Sequence, residues 1–193
     1  ATRIFTGTEG MEKFFPANKL LVTGNPVRAA ILAAAVTREE GLRFFSLDSS
    51  KKTVLVVGGS LGAKSINEAI DKGLDKMLEA GLQLIWQTGK PYAAAASERV
   101  AGKNGVWAND FITQMEYAYA AADIVVARAG AMTVAELCLV KKPVLFVPYP
   151  FAAEDHQTVN ATQLVSQHAA LIVKDSEAKE NLVFMSIELS RDE

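Results

Sequence analysis

TVLVVGGSLGAKSINEAI, residues 53–70, and ADIVVARAGAMTVAELCLV, residues 122–140, decide how this chain folds. Each opens as an unbroken apolar run, halts at small residues and then takes up the period of a helix. In a parallel sheet such a junction leaves backbone N–H groups and a helix N-terminus at the carboxyl edge of the strands. That edge suits an anion, and an anionic nucleotide is the ligand it would take. Two such loops in one domain imply a single ligand held from both sides.

The flanking sequence extends the pattern in both directions. Short strands are expected over Arg3–Thr6 and Lys19–Thr23, then a break at Gly24-Asn25-Pro26 and an alanine-rich helix over Val27–Thr37. Glu39–Lys52 is polar and mixed and reads as a connector. From Thr53 onward strands and helices alternate. Strands are expected at Val54–Val57, Leu82–Gln87, Gly105–Ala108, Ile124–Ala127, Val144–Val147 and Ala170–Val173. Helices are expected at Ala63–Ala80, after Pro91, and at Met115–Ala121, Thr133–Val140, His156–Ser166 and Glu177–Leu189. Strands that read as continuous apolar runs, separated by helices, imply βαβ units and a parallel α/β sheet covered on both faces.

A chain of 193 residues buries a full core without a staple. Its formal charge of −2 gives no footprint for nucleic acid, so neither DNA nor RNA is an expected partner. The lone cysteine, Cys138, sits in an apolar helical stretch and is expected to be buried and inert. No stretch has the length and apolarity of a membrane span, and no signal peptide is visible, so a cytoplasmic setting is expected. The sequence opens on Ala1 without a methionine and reads as a piece of a longer protein.

Four clusters could carry chemistry. GGSLGA (58–63) offers Gly58 and Gly59 for close backbone approach and Ser60 as a hydroxyl donor, ahead of a helix whose dipole favours an anion. It has neither the GK[ST] ending of a Walker loop nor a clean GxGxxG, and a tight turn that binds nothing is the alternative. In ARAGAMTVAE (127–136), Thr133 and Glu136 have the spacing of a capping box. The other reading puts the Glu136 carboxylate on the two hydroxyls of a ribose, with the backbone of Ala131 and Met132 against the ligand. In FAAEDHQTVNA (151–161), Asp155 is a natural N-cap and His156 a capping residue, while Gln157 and Asn160 share a face suited to sugar hydroxyls. His168, near a helix end, reads as a solvated or dipole-complementing residue. Arg28, at an otherwise apolar helix start, either pairs with a diphosphate or is a surface arginine. No metal cluster, Ser/His/Asp set or carboxylate pair stands out, so the sequence offers a binding site more clearly than a catalytic one.

GNPVR, VVGGSLGAKSIN, FI at 111–112, ADIVVARAGAMTVAE, PVLFVPYP and EDHQTVNA together, in this order, resemble the MurG family of glycosyltransferases from about Ile4 to Val173. That family adds N-acetylglucosamine from UDP-GlcNAc to lipid I, making lipid II for peptidoglycan, and is peripheral on the cytoplasmic face of the inner membrane. The resemblance implies a Rossmann-like doubly wound parallel sheet, the C-terminal, donor-binding domain of a GT-B fold. Residues 24–193 would be that domain, and residues 1–23 a linker or the tail of the N-terminal acceptor domain. It further implies Arg28 and Ser60 at the diphosphate, beside the close backbone approach read at Gly59, the Ile112 backbone at the uracil edge, and Ala131, Met132 and Thr133 along the diphosphate and nucleoside. Glu136 would hold the ribose and Gln157 the GlcNAc hydroxyls.

The family's glycine-rich TGGH-type loop, with the histidine suspected as general base, is not found in this sequence. Catalytic residues, the lipid I acceptor and membrane contact are therefore expected in an N-terminal half, and this chain alone is expected to be inactive. No cofactor and no metal are expected. Two other readings fit the same donor site: a UDP-GlcNAc 2-epimerase, and a non-catalytic donor-binding subunit of a two-chain transferase.

Overall fold

The computed structural model describes residues 1–33 and 35–192. Six parallel strands form the main sheet: β3 (Thr53–Val57), β4 (Gln83–Gln87), β5 (Val106–Asn109), β6 (Ile124–Ala127), β7 (Val144–Phe146) and β8 (Leu171–Ile172), in the order β5-β4-β3-β6-β7-β8. Each matches a strand expected from the sequence to within one residue at either end. Two earlier strands, β1 (Ile4–Thr6) and β2 (Leu20–Val22), pair in parallel as a separate two-stranded sheet.

Alternating side chains of the central strands feed two cores, as the pleat requires. Val54 and Val56 face one layer, where they meet Ile66 and Leu74 of α3 (Lys64–Glu79) and Leu182 of α8 (Ala178–Arg191). Leu55 and Val57 face the other, against Leu42 of α2 (Arg38–Phe44), Tyr119 of α5 (Met115–Ala121) and Leu137 of α6 (Ala131–Val140). The remaining helices are α1 (Ala29–Leu32), α4 (Ala93–Val100) and α7 (His156–Val165). The sheet is thus covered on both faces.

The first fifty residues depart from expectation. The helix expected over 27–37 is confined to the four residues of α1, and Ala34 lies outside the described residues. Part of the expected connector at 39–52 is helical instead: α2 begins with a complete capping box, Thr37 Oγ1 accepting from the Glu40 N–H while the Glu40 carboxylate accepts from the Thr37 N–H. Arg38 then ties α2 to the sheet through Asp123, at 3.0 and 3.2 Å. Phe14 and Phe15 are exposed.

Candidate functional site

From β3 the chain builds outward through β4 to β5, and from β6 it builds the other way through β7 to β8. The loops that leave β3 and β6 therefore part, and a crevice opens between them at the carboxyl ends of the strands. Both decisive stretches of sequence end there.

The loop after β3 is a turn in which the Gly62 N–H donates to the Gly59 carbonyl at 3.0 Å. Gly59 and Gly62 hold φ of +88° and +75°, a region that favours glycine. A Cβ on Gly62 would lie 2.0 Å from the Thr88 carbonyl oxygen, so the loop closes directly on the end of β4. Ser60 is exposed within this turn. α3 follows at Lys64, and α6 follows the other loop at Ala131; neither N-terminus has a side-chain cap. Their first-turn N–H groups remain available as donors, and each end carries roughly half a positive charge.

The capping box that the spacing of Thr133 and Glu136 allowed is not formed. Gly130 is the N-cap of α6, which places Thr133 and Glu136 inside the helix, too far along to cap it. Glu136 is buried and its carboxylate is held by side chains from elsewhere: Arg28 Nε and Nη2 donate at 2.9 and 3.1 Å, and the Tyr119 hydroxyl donates at 2.9 Å. This pairing raises the Arg28 pKa, while burial and then the Glu136 charge push the Tyr119 phenol well above its ordinary value. A carboxylate has about four acceptor positions, so three are already taken.

Two adjoining cavities line the crevice. Arg28, Gly59, Ser60, Ile112, Thr133 and Glu136 all border the smaller, ≈ 130 Å³. The larger, ≈ 720 Å³, runs along the Gly58–Ser65 loop past Gly130 to Tyr149, Phe151 and Gln157. Ala131 and Met132 lie on the exposed first turn of α6, next to Gly130, and border neither. The Ile112 N–H donates to Gln87 Oε1 at 2.9 Å, which leaves its carbonyl as the group its backbone presents. Gln157 Oε1 accepts from the Tyr149 N–H at 3.0 Å, so its amide nitrogen is the end left for a ligand.

In the 151–161 cluster, the Asn160 amide donates to the Ala129 carbonyl at 3.0 Å and steadies the loop before α6. Asp155 occupies the N-cap position of α7 but, in a left-handed conformation, accepts from the Thr158 hydroxyl and caps no backbone N–H. His156 does serve locally, its Nδ1 lying 2.7 Å from the Ala153 carbonyl. Cys138 is exposed, because α6 is apolar all round and turns Glu136 and Leu137 inward instead.

Three residues of the site were not legible from spacing. Tyr119 lies in the helix expected at Met115–Ala121 with no motif to mark it, and its hydroxyl on Glu136 gives it a role. Gln87 ended an apolar strand without any motif. Arg128, inside the second loop, borders the larger cavity and donates to the Val147 and Pro148 carbonyls, Ser65 Oγ and Asp175, with its guanidinium 5.5 Å from the Tyr149 ring centre. Among the described residues no cluster of three His, Cys, Asp or Glu could hold a metal ion. No helix among them is long and apolar enough to cross a membrane.

The profile of the glycosyltransferase family 28 C-terminal domain matches residues 53–192, the span that carries both loops, Glu136 and Gln157. The chain belongs to glycosyltransferase family 28. Arg28 lies upstream of the matched span, so the family 28 domain recruits it from the preceding segment. A protein of Parabacteroides distasonis named UDP-N-acetylglucosamine--N-acetylmuramyl-(pentapeptide) pyrophosphoryl-undecaprenol N-acetylglucosamine transferase is 50% identical over 195 residues, covering 100% of this chain and 53% of that protein. Its namesake from Phocaeicola vulgatus is 49% identical over 191 residues, covering 97% and 51%. This chain spans about half the length of the curated relatives it matches. The crystal structure of Acinetobacter baumannii MurG superposes with a TM-score of 0.65 at 29% identity, over 90% of this chain and 52% of that one. A complex of S. aureus MnaA with UDP gives 0.67 at 16% identity, over 100% and 52%, a likeness of fold.

Proposed function

We propose that this family 28 chain is the donor-binding half of an inverting glycosyltransferase that moves GlcNAc from UDP-GlcNAc to lipid I, forming lipid II in peptidoglycan synthesis. The observation that carries this reading is the pair of uncapped helix N-termini, α3 and α6, facing one crevice beside the buried Glu136 carboxylate. The names of its half-identical relatives support the same donor and acceptor.

In this reading the diphosphate lies across the two helix N-termini, with the Ser60 hydroxyl, the Gly59 backbone and Arg28 around it. Ala131, Met132 and Thr133 follow it along the first turn of α6. Glu136 accepts from the ribose hydroxyls, the Ile112 carbonyl accepts from the uracil N–H, and the Gln157 amide donates to a GlcNAc hydroxyl. The acceptor 4-hydroxyl attacks the anomeric carbon, the bond to the β-phosphate oxygen breaks with inversion, and the electron pair leaves on UDP. Charge developing there is stabilised by the helix termini and Arg28.

The base that takes the acceptor proton, the lipid I site and membrane contact at the cytoplasmic face of the inner membrane are assigned to the part of the relatives that this chain does not match. Residues 1–23 are the tail of that N-terminal half or a linker to it. They form their own small sheet, and Phe5, Phe14 and Val22 are exposed on it or beside it.

Calorimetric titration with UDP-GlcNAc, with UDP-GalNAc and GDP as controls, tests the proposal. Weak, selective binding of UDP-GlcNAc that is lost in Glu136→Ala is the expected result, with no transfer to a lipid I analogue by this chain alone. Equal binding of GDP would refute the donor assignment, and transfer by the chain alone would refute the division of labour.

A further inference from the structure

The Gly58–Ala63 loop and the Ile112 segment, which in the donor-site reading meet the diphosphate and the base, are joined by one buried side chain. Gln87 is the last residue of β4, the strand that lies between β3 and β5. The Gly58–Ala63 loop leaves the end of β3, and the Ile112 segment leaves the end of β5, so both pass over the end of β4. Gln87 is 5% exposed. Its Nε2 donates to the Gly59 carbonyl at 2.9 Å and its Oε1 accepts from the Ile112 N–H at 2.9 Å. The partners fix the orientation of the amide, since a backbone carbonyl only accepts and a backbone N–H only donates. The Gly59 carbonyl also accepts the Gly62 N–H that closes the turn. Gln87 therefore sets the turn beside Ser60 and the direction of the Ile112 carbonyl at once.

The geometry points to Gln87 as a positioning residue that couples the phosphate-facing loop to the base-facing segment, so that the two engage a nucleoside diphosphate as one unit. This rests on the donor-site reading above. Gln87 need not touch the ligand. It fixes the separation of the groups that do, and a displacement of one loop without the other would leave either the diphosphate or the base unmatched.

Gln87→Met keeps volume and removes both hydrogen bonds. Gln87→Glu keeps both only while its carboxyl is protonated, when the O–H replaces the amide donor toward Gly59. The position is buried, and burial lifts a carboxyl there above the ordinary carboxylate range, so that it holds its proton at pH 5.5. The ionisable groups lining the same cavity are Arg28, Tyr119 and Glu136, with Arg28 already engaged by Glu136, so ionisation of the new carboxyl breaks the tie to Gly59.

The test uses the full 193-residue chain in three forms, wild type and the two variants, and takes two readouts. Without ligand, exchange of the Ile112 amide in Gln87→Met is expected to be at least about tenfold faster, while core amides of β3 and β6 keep their protection. With UDP, Gln87→Met is expected to bind about tenfold or more weakly at every pH. Gln87→Glu, expressed as a ratio to wild type, is expected to bind nearly normally at pH 5.5 and to lose affinity by pH 8.5. An Ile112 amide that stays protected in Gln87→Met, or UDP affinity unchanged in that variant, overturns the coupling. Equal losses in Gln87→Glu at both pH values reduce Gln87 to a packing residue and also overturn it. If the wild type fails to bind UDP, the donor reading falls instead, and the exchange measurement still decides whether Gln87 ties the loops.

Discussion

Arg28 and Glu136, 108 residues apart in the chain, meet as a two-bonded ion pair at 2.9 and 3.1 Å. Each was assigned from sequence to a different part of a ligand, Arg28 to a diphosphate and Glu136 to a ribose. In the structure they hold each other. Arg28 keeps N–H donors outside this pair, and a diol that takes two acceptor positions on Glu136 displaces one of the three donors now on it. Glu136→Gln is expected to weaken UDP binding by about tenfold or more, because an amide offers one acceptor atom where the diol needs two. Arg28→Ala is expected to cost about 1 kcal/mol of stability, the pair being half exposed on the arginine side. Calorimetry with UDP and thermal melts of the two variants check both.

Tyr119 stabilises Glu136 from the buried side. Tyr119→Phe is expected to lower stability by about 1–2 kcal/mol and to weaken UDP binding a few-fold. The sign of its pH effect follows from burial, which raises its phenol pKa above the ordinary 10.0 in the folded state. Above pH 10 the unfolded chain releases that proton while the native protein keeps it, so stability falls as pH rises. Denaturant melts between pH 8 and 11 are expected to show a shallower decline in Tyr119→Phe than in the wild type. Equal slopes would count against it.

Gly62→Ala tests the loop itself. Its φ of +75° and the 2.0 Å approach of a Cβ to the Thr88 oxygen leave the side chain nowhere to go without moving the turn. Stability is expected to fall by about 2 kcal/mol or more, with loss of UDP binding even where the protein remains folded. A melting midpoint within a degree of wild type would contradict the geometry.

Far from the crevice, Asp75 reports on acid stability. Hydrogen bonds from Arg99 and then Lys103 hold its carboxyl down from 3.8 to about 2. A depressed carboxylate stabilises the fold above its unfolded pKa, and that stabilisation disappears as pH falls from about 4 toward 2. Asp75→Asn is expected to flatten that part of the acid-unfolding curve, and added salt to reduce the difference, since the group is exposed. Carboxyl NMR titration of Asp75 measures the shift directly.

The elements legible from sequence were those whose local pattern and burial agree. Apolar runs such as TVLVV and DIVVA have no stable place except a strand covered on both faces, and their helices follow from period and small residues. The loops after β3 and β6 could be read as ligand-facing for the same reason. α2 was missed although Thr37 and Glu40 carry a capping box in the sequence, because its polar composition masked a local signal. α6 shows the opposite failure. With apolar residues on every side, period could not say that Cys138 faces outward and Glu136 inward.

What the sequence by itself determined is the order of strands and helices, the covered parallel sheet and the two loops that end at its carboxyl edge, because backbone propensity and hydrophobic pattern are local properties. Only the tertiary structure decided that Arg28 closes on Glu136, that Tyr119 supports it, and that Gln87 bridges Gly59 and Ile112. Those contacts join residues 17 to 108 positions apart, and they exist because the sheet reverses its order between β3 and β6 and sets β4 between β3 and β5. Spacing along the chain carries no record of that arrangement; hydrogen-bond geometry across strand ends does.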